Sequence, residues 1–346
     1  MDIHHQIKLL HGAAAAAEFL EAPLLPEAAA VEQAYPVLTN TYYLGLVDRE
    51  KPAEDPVWKQ CMPNPAELDD LTSSFDPQEE AAYQVVPRLI RRYRDRALLL
   101  ANGRCAIRCR FCFRKRTWKN GSELKDITDA ELREACVYLA AHPEIREVLV
   151  SGGDPLLLPL PRLKRIMDAL SELKNIEVIR IASRLPAVMP RAVTPEHVEL
   201  LAEHPSLWLM THFNHPHEVT PEAVECCRLF IRRGIPVLNQ TVLLKGVNDS
   251  PQVLEELFRK LVAVKVKPHY LFHVDPVRGV RHFATGIECG LDILRYFREN
   301  LSSLAVPAFA IDLPEGGGKV NLQPDYTCNG RFYSLDGMEL IEYRDK

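Results

Sequence analysis

Three cysteines within eight residues are the feature of this sequence best suited to carry chemistry. Cys105, Cys109 and Cys112 have the spacing Cys-x3-Cys-x2-Cys, and Phe111 precedes the last of them. Three soft thiolates can hold three irons of a [4Fe–4S] cube and leave the fourth iron open, whereas a structural zinc site needs a fourth ligand. The spacing differs from that of zinc ribbons and ferredoxins. The alternatives are three reduced thiols in a loop, or zinc with a distant fourth ligand.

Two glycine-rich segments are further candidates. Residues 148–150 form an apolar run that ends in Ser151, Gly152, Gly153 and Asp154, where glycines let the backbone approach a ligand closely or simply form a turn. The second segment, residues 312–319, ends in three glycines and Lys319. A Walker A motif is excluded, because Leu313 and Val320 occupy the places of its first glycine and its Ser or Thr.

Lys319 has two interpretations. A solvated lysine in a flexible turn is one, and the other is a lysine whose amine condenses with the aldehyde of pyridoxal phosphate (PLP). A phosphate needs cationic partners, and the segment 91–96, Arg-Arg-Tyr-Arg-Asp-Arg, could supply them. A charged helix end is the alternative for that segment.

The elements that must position these residues alternate from Ala97 onward between short apolar runs and amphipathic stretches, as parallel strands and their connecting helices do. The predicted strands are residues 97–101, 148–151, 178–182, 207–211, 237–244 and 270–274. The predicted helices lie near 129–141, 161–173, 194–203, 221–233, 252–264 and 287–300. Thr128 and Glu131 have the spacing of a capping box for the first helix.

Six strand–helix units predict an α/β protein with a partial, TIM-like parallel barrel, whose chemistry gathers at the C-terminal ends of the strands. We expect an N-terminal helical and irregular region over residues 1–96 and the barrel over 97–304. We expect a loop-rich C-terminal segment over 305–346 that carries Lys319.

Composition excludes several classes of protein. The 346 residues are 47% hydrophobic and 26% charged, which is ordinary for a globular chain and excludes wholesale disorder. The net charge of -5 provides no basic field for nucleic acid, and no apolar run is long enough to suggest a membrane span. Nine cysteines, an odd count, follow an N-terminus without a signal-peptide pattern, which argues against a disulfide framework. We therefore expect a cytoplasmic protein without nucleic-acid or membrane partners.

The cysteine spacing resembles the signature of the radical S-adenosylmethionine (SAM) enzymes. Together with the Gly-Gly-Gly-Lys loop and the Arg-Tyr-x-Asp-Arg segment, it resembles the lysine 2,3-aminomutase family, which uses SAM and PLP, over about residues 56–326. The resemblance implies a radical SAM barrel and the following site residues: Cys105, Cys109 and Cys112 for a [4Fe–4S] cluster, Lys319 for PLP, Arg92, Tyr93 and Arg96 for its phosphate, and Ser151, Gly152, Gly153, Asp154, His212 and Gln240 for SAM.

The resemblance also implies a substrate and a reaction. Asp275 and Asp312 match the aspartates that bind the side-chain ammonium of lysine, and Arg114 matches the arginine that binds its carboxylate. A buried ammonium needs carboxylates beside it, whereas either aspartate alone could be a turn residue. The implied activity is an isomerase that converts L-lysine to β-lysine, with electrons from an external donor.

The chain departs from the free-lysine enzymes in two respects. It lacks their longer C-terminal extension with zinc-binding cysteines, and Ser250 stands where they have a cysteine. The zinc site is therefore not expected, and association into a homo-oligomer stays open. The short length and the cysteine segment resemble the branch that isomerises a lysine of elongation factor P, whereas the triple-glycine loop does not belong to that branch.

Four alternatives therefore remain at this point. The substrate could be a protein-bound lysine or another amino acid. The chain could also carry out a radical SAM reaction without PLP, or serve as a non-catalytic iron–sulfur or zinc scaffold.

Overall fold

The computed structural model describes residues 7–118, 125–314, 317–328, 331–335 and 338–342. The strands are β1 (Leu9–His11), β2 (Leu38–Asn40), β3 (Gln84–Val86), β4 (Leu89–Ile90), β5 (Arg96–Asn102), β6 (Glu147–Gly152), β7 (Val178–Ala182), β8 (Leu207–Thr211), β9 (Val237–Leu243), β10 (Val266–His273), β11 (Ala308–Leu313), β12 (Gly318–Leu322), β13 (Thr327–Cys328), β14 (Arg331–Tyr333) and β15 (Leu340–Ile341). The helices are α1 (Ala13–Leu20), α2 (Ala28–Ala34), α3 (Thr41–Leu44), α4 (Pro56–Cys61), α5 (Asp129–Ala141), α6 (Leu160–Ser171), α7 (Leu185–Val188), α8 (Pro195–Ala202), α9 (Pro221–Arg232), α10 (Pro251–Ala263) and α11 (Ile287–Asn300).

A single large sheet organises the molecule. Its strand order is β12-β11-β10-β9-β8-β7-β6-β5-β4-β3. Strands β5 to β11 are parallel to their neighbours, and antiparallel strands extend both edges. Within the described ranges the outer strands β12 and β3 do not pair with each other, so the sheet stays open.

Hydrophobic periodicity explains how the helices cover this sheet. Each long connecting helix buries one stripe of side chains, as α9 does with Ala223, Cys226, Cys227 and Phe230. The predicted capping box of α5 is present, since the Thr128 hydroxyl accepts from the Glu131 amide at 3.2 Å. No helix in the described residues is both long and apolar enough to cross a membrane.

The predicted α/β sheet is confirmed, together with the six predicted strands and the six predicted helices. The structure corrects one part of the prediction, because the segment from residue 305 is not simply loop-rich. It opens with β11, a further parallel strand, and β12 folds back beside it. Strand β11 was missed because two of its first three residues are alanines, which are depleted in strands, and because Pro307 precedes them.

Strand β11 is held by close contact with the helix before it. Gly290 lies in α11, and a Cβ atom at this position would come within 2.2 Å of the ring of Phe309. The helix therefore lies directly on β11, which also carries Asp312. Glycine lowers the helix propensity of α11, but its lack of a side chain allows the helix to pack this close to β11.

We expect Gly290→Ala to destabilise the protein, although alanine normally favours a helix. The added methyl group has no space beside Phe309, so the free energy of unfolding should fall by about 1–3 kcal/mol. Denaturant unfolding measures the change. Glu299→Ala is the control, because it introduces alanine at an exposed position of the same helix. A Gly290→Ala protein as stable as the wild type would contradict this packing.

Candidate functional site

The cysteine loop follows β5 and is anchored by the N-terminal region. The amide of Arg108 donates to Leu38 O, and that of Arg110 to Gln60 O, both at 2.8 Å. The guanidinium of Arg110 is fully buried and pairs with Glu67 at 2.5 Å. These contacts hold the backbone of the cysteine loop against the N-terminal region.

The three thiols interact electrostatically with one another. Burial raises the pKa of Cys105 well above its usual value, and the charges of Asp154, Cys112 and Cys109 raise it further. Burial, together with Cys109, raises the pKa of Cys112 to about 11. Buried thiolates that raise one another's pKa need a cationic centre to stay ionised.

The donor set fits an iron–sulfur cube. Among the described residues no three His, Cys, Asp or Glu side chains are grouped so that they could hold a metal ion. Thiolates are soft ligands, and iron–sulfur clusters are among the centres that they prefer. The three thiolates of the Cys-x3-Cys-x2-Cys loop suit three irons of a [4Fe–4S] cluster and leave the fourth iron open.

Arg184 contacts the cysteine loop, and sequence reasoning missed it. Its Nη1 donates to Cys109 Sγ at 2.8 Å, and its guanidinium lies 5.0 Å from the Phe111 ring centroid. Its Nη2 donates to Gln60 at 2.6 Å and to Glu218 at 2.8 Å. The available signal was its place two residues after a predicted strand, at the edge where barrel chemistry gathers.

The glycine turn after β6 packs against the start of the cysteine loop. A Cβ at Gly152, whose φ is +112°, would lie 2.4 Å from Asn102 O, and one at Gly153 would lie 2.3 Å from Arg104 O. Ser151, immediately before this turn, is buried. The glycines thus let two backbones meet beside Cys105.

Asp154 directs its carboxylate into the protein. Its Oδ2 accepts from Ser183 Oγ at 3.0 Å and from the amides of Arg184 and Leu185 at 2.8 and 3.2 Å. Burial raises its pKa to about 6. The side chain therefore ties the end of β6 to the end of β7, next to the cysteine loop.

His212 and Gln240 lie on neighbouring strands of the same edge. His212 follows β8, and its ring lies 5.5 Å from that of Phe111. Burial, assisted by the charge of Arg184, lowers its pKa to about 3, so the imidazole is neutral at physiological pH. Gln240 lies on β9 in register with Tyr270 of β10.

A second group of charged residues forms where β11 and β12 pair. The antiparallel register sets Lys319 opposite Asp312, and Lys319 Nζ donates to Asp312 Oδ2 at 2.6 Å. The amide of Lys319 donates to the Tyr93 hydroxyl at 3.0 Å, and Arg92 donates to Leu313 O at 2.7 Å. The guanidinium of Arg96 lies 3.8 Å from the centroid of the Tyr93 ring. The pairing of two short strands thus joins the predicted lysine to the predicted arginine segment.

Arg92 has spare capacity for an anion. Its Nη1 lies 4.0 Å from Asp312 Oδ1. Its Nε is buried and has no hydrogen-bond partner among the described residues. An unpaired buried donor is costly, and a phosphate oxygen would satisfy it.

Asp275 joins this group from the end of β10. Burial raises its pKa to about 6, with a further rise from Asp312 and opposing effects of Gln78, Lys319 and Arg92. Burial also lowers the pKa of the Lys319 amine, against the opposite effect of Asp312. A lowered pKa leaves more free amine, which is the form that reacts with aldehydes.

An aromatic surface lies beside the Lys319 amine. Its Nζ is 3.9 Å from the ring centroid of Phe272 and 5.3 Å from that of Tyr270, and the two rings stack on each other. Both aromatic residues belong to β10. A planar ring attached to Lys319 would have an apolar surface to lie against.

Arg114 contacts the glycine turn and a second acidic residue, Glu80. Its Nε and Nη2 donate to Glu80 at 2.9 and 2.6 Å, and its Nη1 reaches Gly152 O at 3.3 Å. Burial alone would raise the pKa of Glu80, but the guanidinium groups of Arg114 and Arg116 hold it below its usual value. The sequence analysis missed Glu80, because a glutamate among other acidic residues gives no signal.

Comparison with known proteins identifies relatives of this chain. Residues 100–258 match the Radical SAM superfamily. A putative L-lysine 2,3-aminomutase of Aquifex aeolicus is 44% identical over 89% of this chain and 84% of the relative. L-lysine 2,3-aminomutase of Clostridium subterminale is 41% identical over 83% of this chain and 69% of the relative. Glutamate 2,3-aminomutase of Clostridioides difficile is 36% identical over 83% and 67%.

Proposed function

The chain belongs to the lysine 2,3-aminomutase family of radical SAM enzymes, and we propose that it moves the amino group of L-lysine from C2 to C3 to give β-lysine. It is an isomerase whose cofactors are a [4Fe–4S] cluster, SAM and PLP. The pair of carboxylates that faces Lys319 is the observation that carries the choice of substrate. An external donor supplies the electron that radical SAM chemistry requires.

Each cofactor has fitting residues in the chain. Cys105, Cys109 and Cys112 would hold the cluster, and the neighbouring glycine turn, His212 and Gln240 would contact SAM. Lys319 would bind PLP, with Arg92, Tyr93 and Arg96 at its phosphate. When bound, these groups supply a carbon radical that removes hydrogen from the substrate and an aldehyde that carries its amino group.

The charges of the site favour a cationic side chain. Arg92 and Lys319 balance Asp275 and Asp312 in the structure. If Arg92 binds a phosphate, the two carboxylates have an excess of negative charge, and a substrate ammonium compensates it. A glutamate side chain would instead bring a third carboxylate to the same place, which disfavours glutamate as the substrate.

Arg114 supports a free amino acid rather than a protein-bound lysine. An arginine has five N–H donors, one on Nε and two on each terminal nitrogen. Glu80 accepts hydrogen bonds from Nε and Nη2 of Arg114, and Gly152 O accepts one from Nη1. Within the described residues one N–H on each terminal nitrogen has no partner, and these two N–H groups could bind the α-carboxylate of the substrate. A lysine within elongation factor P has no free α-carboxylate to offer.

The direct test is anaerobic incubation of the reconstituted protein with SAM, PLP and a reductant. L-lysine, L-glutamate and elongation factor P are supplied in separate reactions, and products are followed by chromatography and mass. We expect β-lysine from free lysine alone. Cys105→Ala should abolish the product, whereas Cys136→Ala, outside the cysteine loop, should retain it. Conversion of glutamate or of elongation factor P, with free lysine unchanged, would contradict the proposal.

Lys319→Ala should abolish the imine absorbance of protein incubated with PLP. Lys319 has a half-buried amine beside an aromatic surface, which suits it to form that bond. Absorption spectroscopy of purified protein makes the measurement. Lys267→Ala is the control, because this lysine contacts backbone carbonyls at Leu304 and Val306 instead. An unchanged imine band in Lys319→Ala would remove Lys319 from this role.

The kcat/KM for lysine should rise with pH through about 6. Burial raises the pKa of Asp275 to about 6, and only its ionised form, present above that pH, attracts the substrate ammonium. A pH profile of the wild type and of Asp275→Asn makes the measurement. The variant should have a higher KM and lack this acid limb. The same acid limb in Asp275→Asn would assign it to another group.

A further inference from the structure

A short strap crosses the substrate end of the site. Residues 74–80, here called the strap, are attached to the loop after β10, where Ser74 forms an isolated bridge with Val277. The amide of Arg278 donates to Ser74 O at 2.8 Å, and its guanidinium lies 4.2 Å from the ring centroid of Phe75. The strap is therefore fastened to the loop that carries Asp275.

Gln78 reaches from the strap to both charged ends of the second group. Its Nε2 donates to Asp275 Oδ1 at 2.6 Å, and its Oε1 accepts from Arg92 Nη1. One neutral amide thus joins the proposed ammonium-binding carboxylate to the proposed phosphate-binding guanidinium.

The backbone of the strap is strained between its two inward contacts. Glu79 has a φ of +51°, a left-handed conformation that is unfavourable for a residue other than glycine. The next residue, Glu80, pairs with Arg114 at 2.6 Å. The strained residue therefore separates one side chain that contacts the ammonium end of the site from another that contacts its carboxylate end.

We propose that Gln78 is a positioning residue that determines specificity for the side-chain ammonium, because it fixes the orientation of Asp275. This inference rests on the proposed function. With Oδ1 held by the amide, Asp275 presents its other oxygen to the substrate. The amide is neutral, so it orients the carboxylate without neutralising the charge that attracts an ammonium.

The charged groups around Asp275 determine the effect of losing this amide. Asp312 on β11 raises the pKa of Asp275, while Lys319 on β12 and Arg92 oppose that rise together with Gln78. Without the hydrogen bond from Gln78, Asp275 binds its proton more tightly. The carboxylate then ionises only at higher pH and turns more freely.

Gln78→Leu tests the inference, because leucine has a similar size and cannot form either hydrogen bond. We expect the KM for lysine to rise roughly tenfold, as for the loss of one hydrogen bond to a charged group, with kcat changed less than about threefold. The acid limb of kcat/KM should move to higher pH. Gln78→Asn keeps an amide but is too short to reach both partners. It should also raise the KM for lysine and move the acid limb to higher pH.

Gln33→Leu is the matched control, since Gln33 is exposed on α2. It should leave KM and the pH profile unchanged. If the wild type is active, and Gln78→Leu and Gln78→Asn have its KM and its acid limb, the inference is overturned and the proposed function stays intact. A wild type that makes no β-lysine would overturn the proposed function, and the inference with it.

Discussion

The structure depends on the cost of burying charge at one edge of an open sheet. Arg92, Lys319, Asp275 and Asp312 meet where water is scarce, and each is tolerable only because the others are present. Removal of any one of them leaves an uncompensated charge. This explains why a cofactor with a phosphate and a substrate with an ammonium suit the same place: together they bring one negative and one positive group to a balanced set.

The cysteine end of the site must also compensate buried charge, and there the charge is that of negative thiolates. Thiolates repel one another, and Arg184 supplies a fixed positive charge that contacts Cys109. Arg114 links the two ends, because it touches the glycine turn through Gly152 O and the strap through Glu80. A substrate carboxylate at Arg114 would lie between the radical-generating half and the amine-carrying half of the site.

Local patterns in the sequence predicted the parts of this arrangement that depend on short spacings. The cysteine spacing, the glycine–lysine loop and the alternation of apolar runs and amphipathic stretches predicted the sheet and the first candidate residues. The family resemblance implied the others, which are His212, Gln240, Arg114, Asp275 and Asp312. Contacts between distant segments could not be predicted in this way. Gln78 meets Asp275 across 197 positions, and Arg184 meets Cys109 across 75. Strand β11 was missed for a local reason, because its alanines and the preceding Pro307 are not typical of a strand.

The central claim is that the two aspartates select the substrate by its terminal ammonium. Spectral titration of PLP-loaded, SAM-free protein with L-lysine and with L-norleucine tests it most directly, since norleucine has the same carbon chain without the terminal amine. The account predicts half-saturation by lysine at a concentration at least about tenfold lower, the equivalent of one modest charge interaction. Equal half-saturation by both amino acids would contradict it.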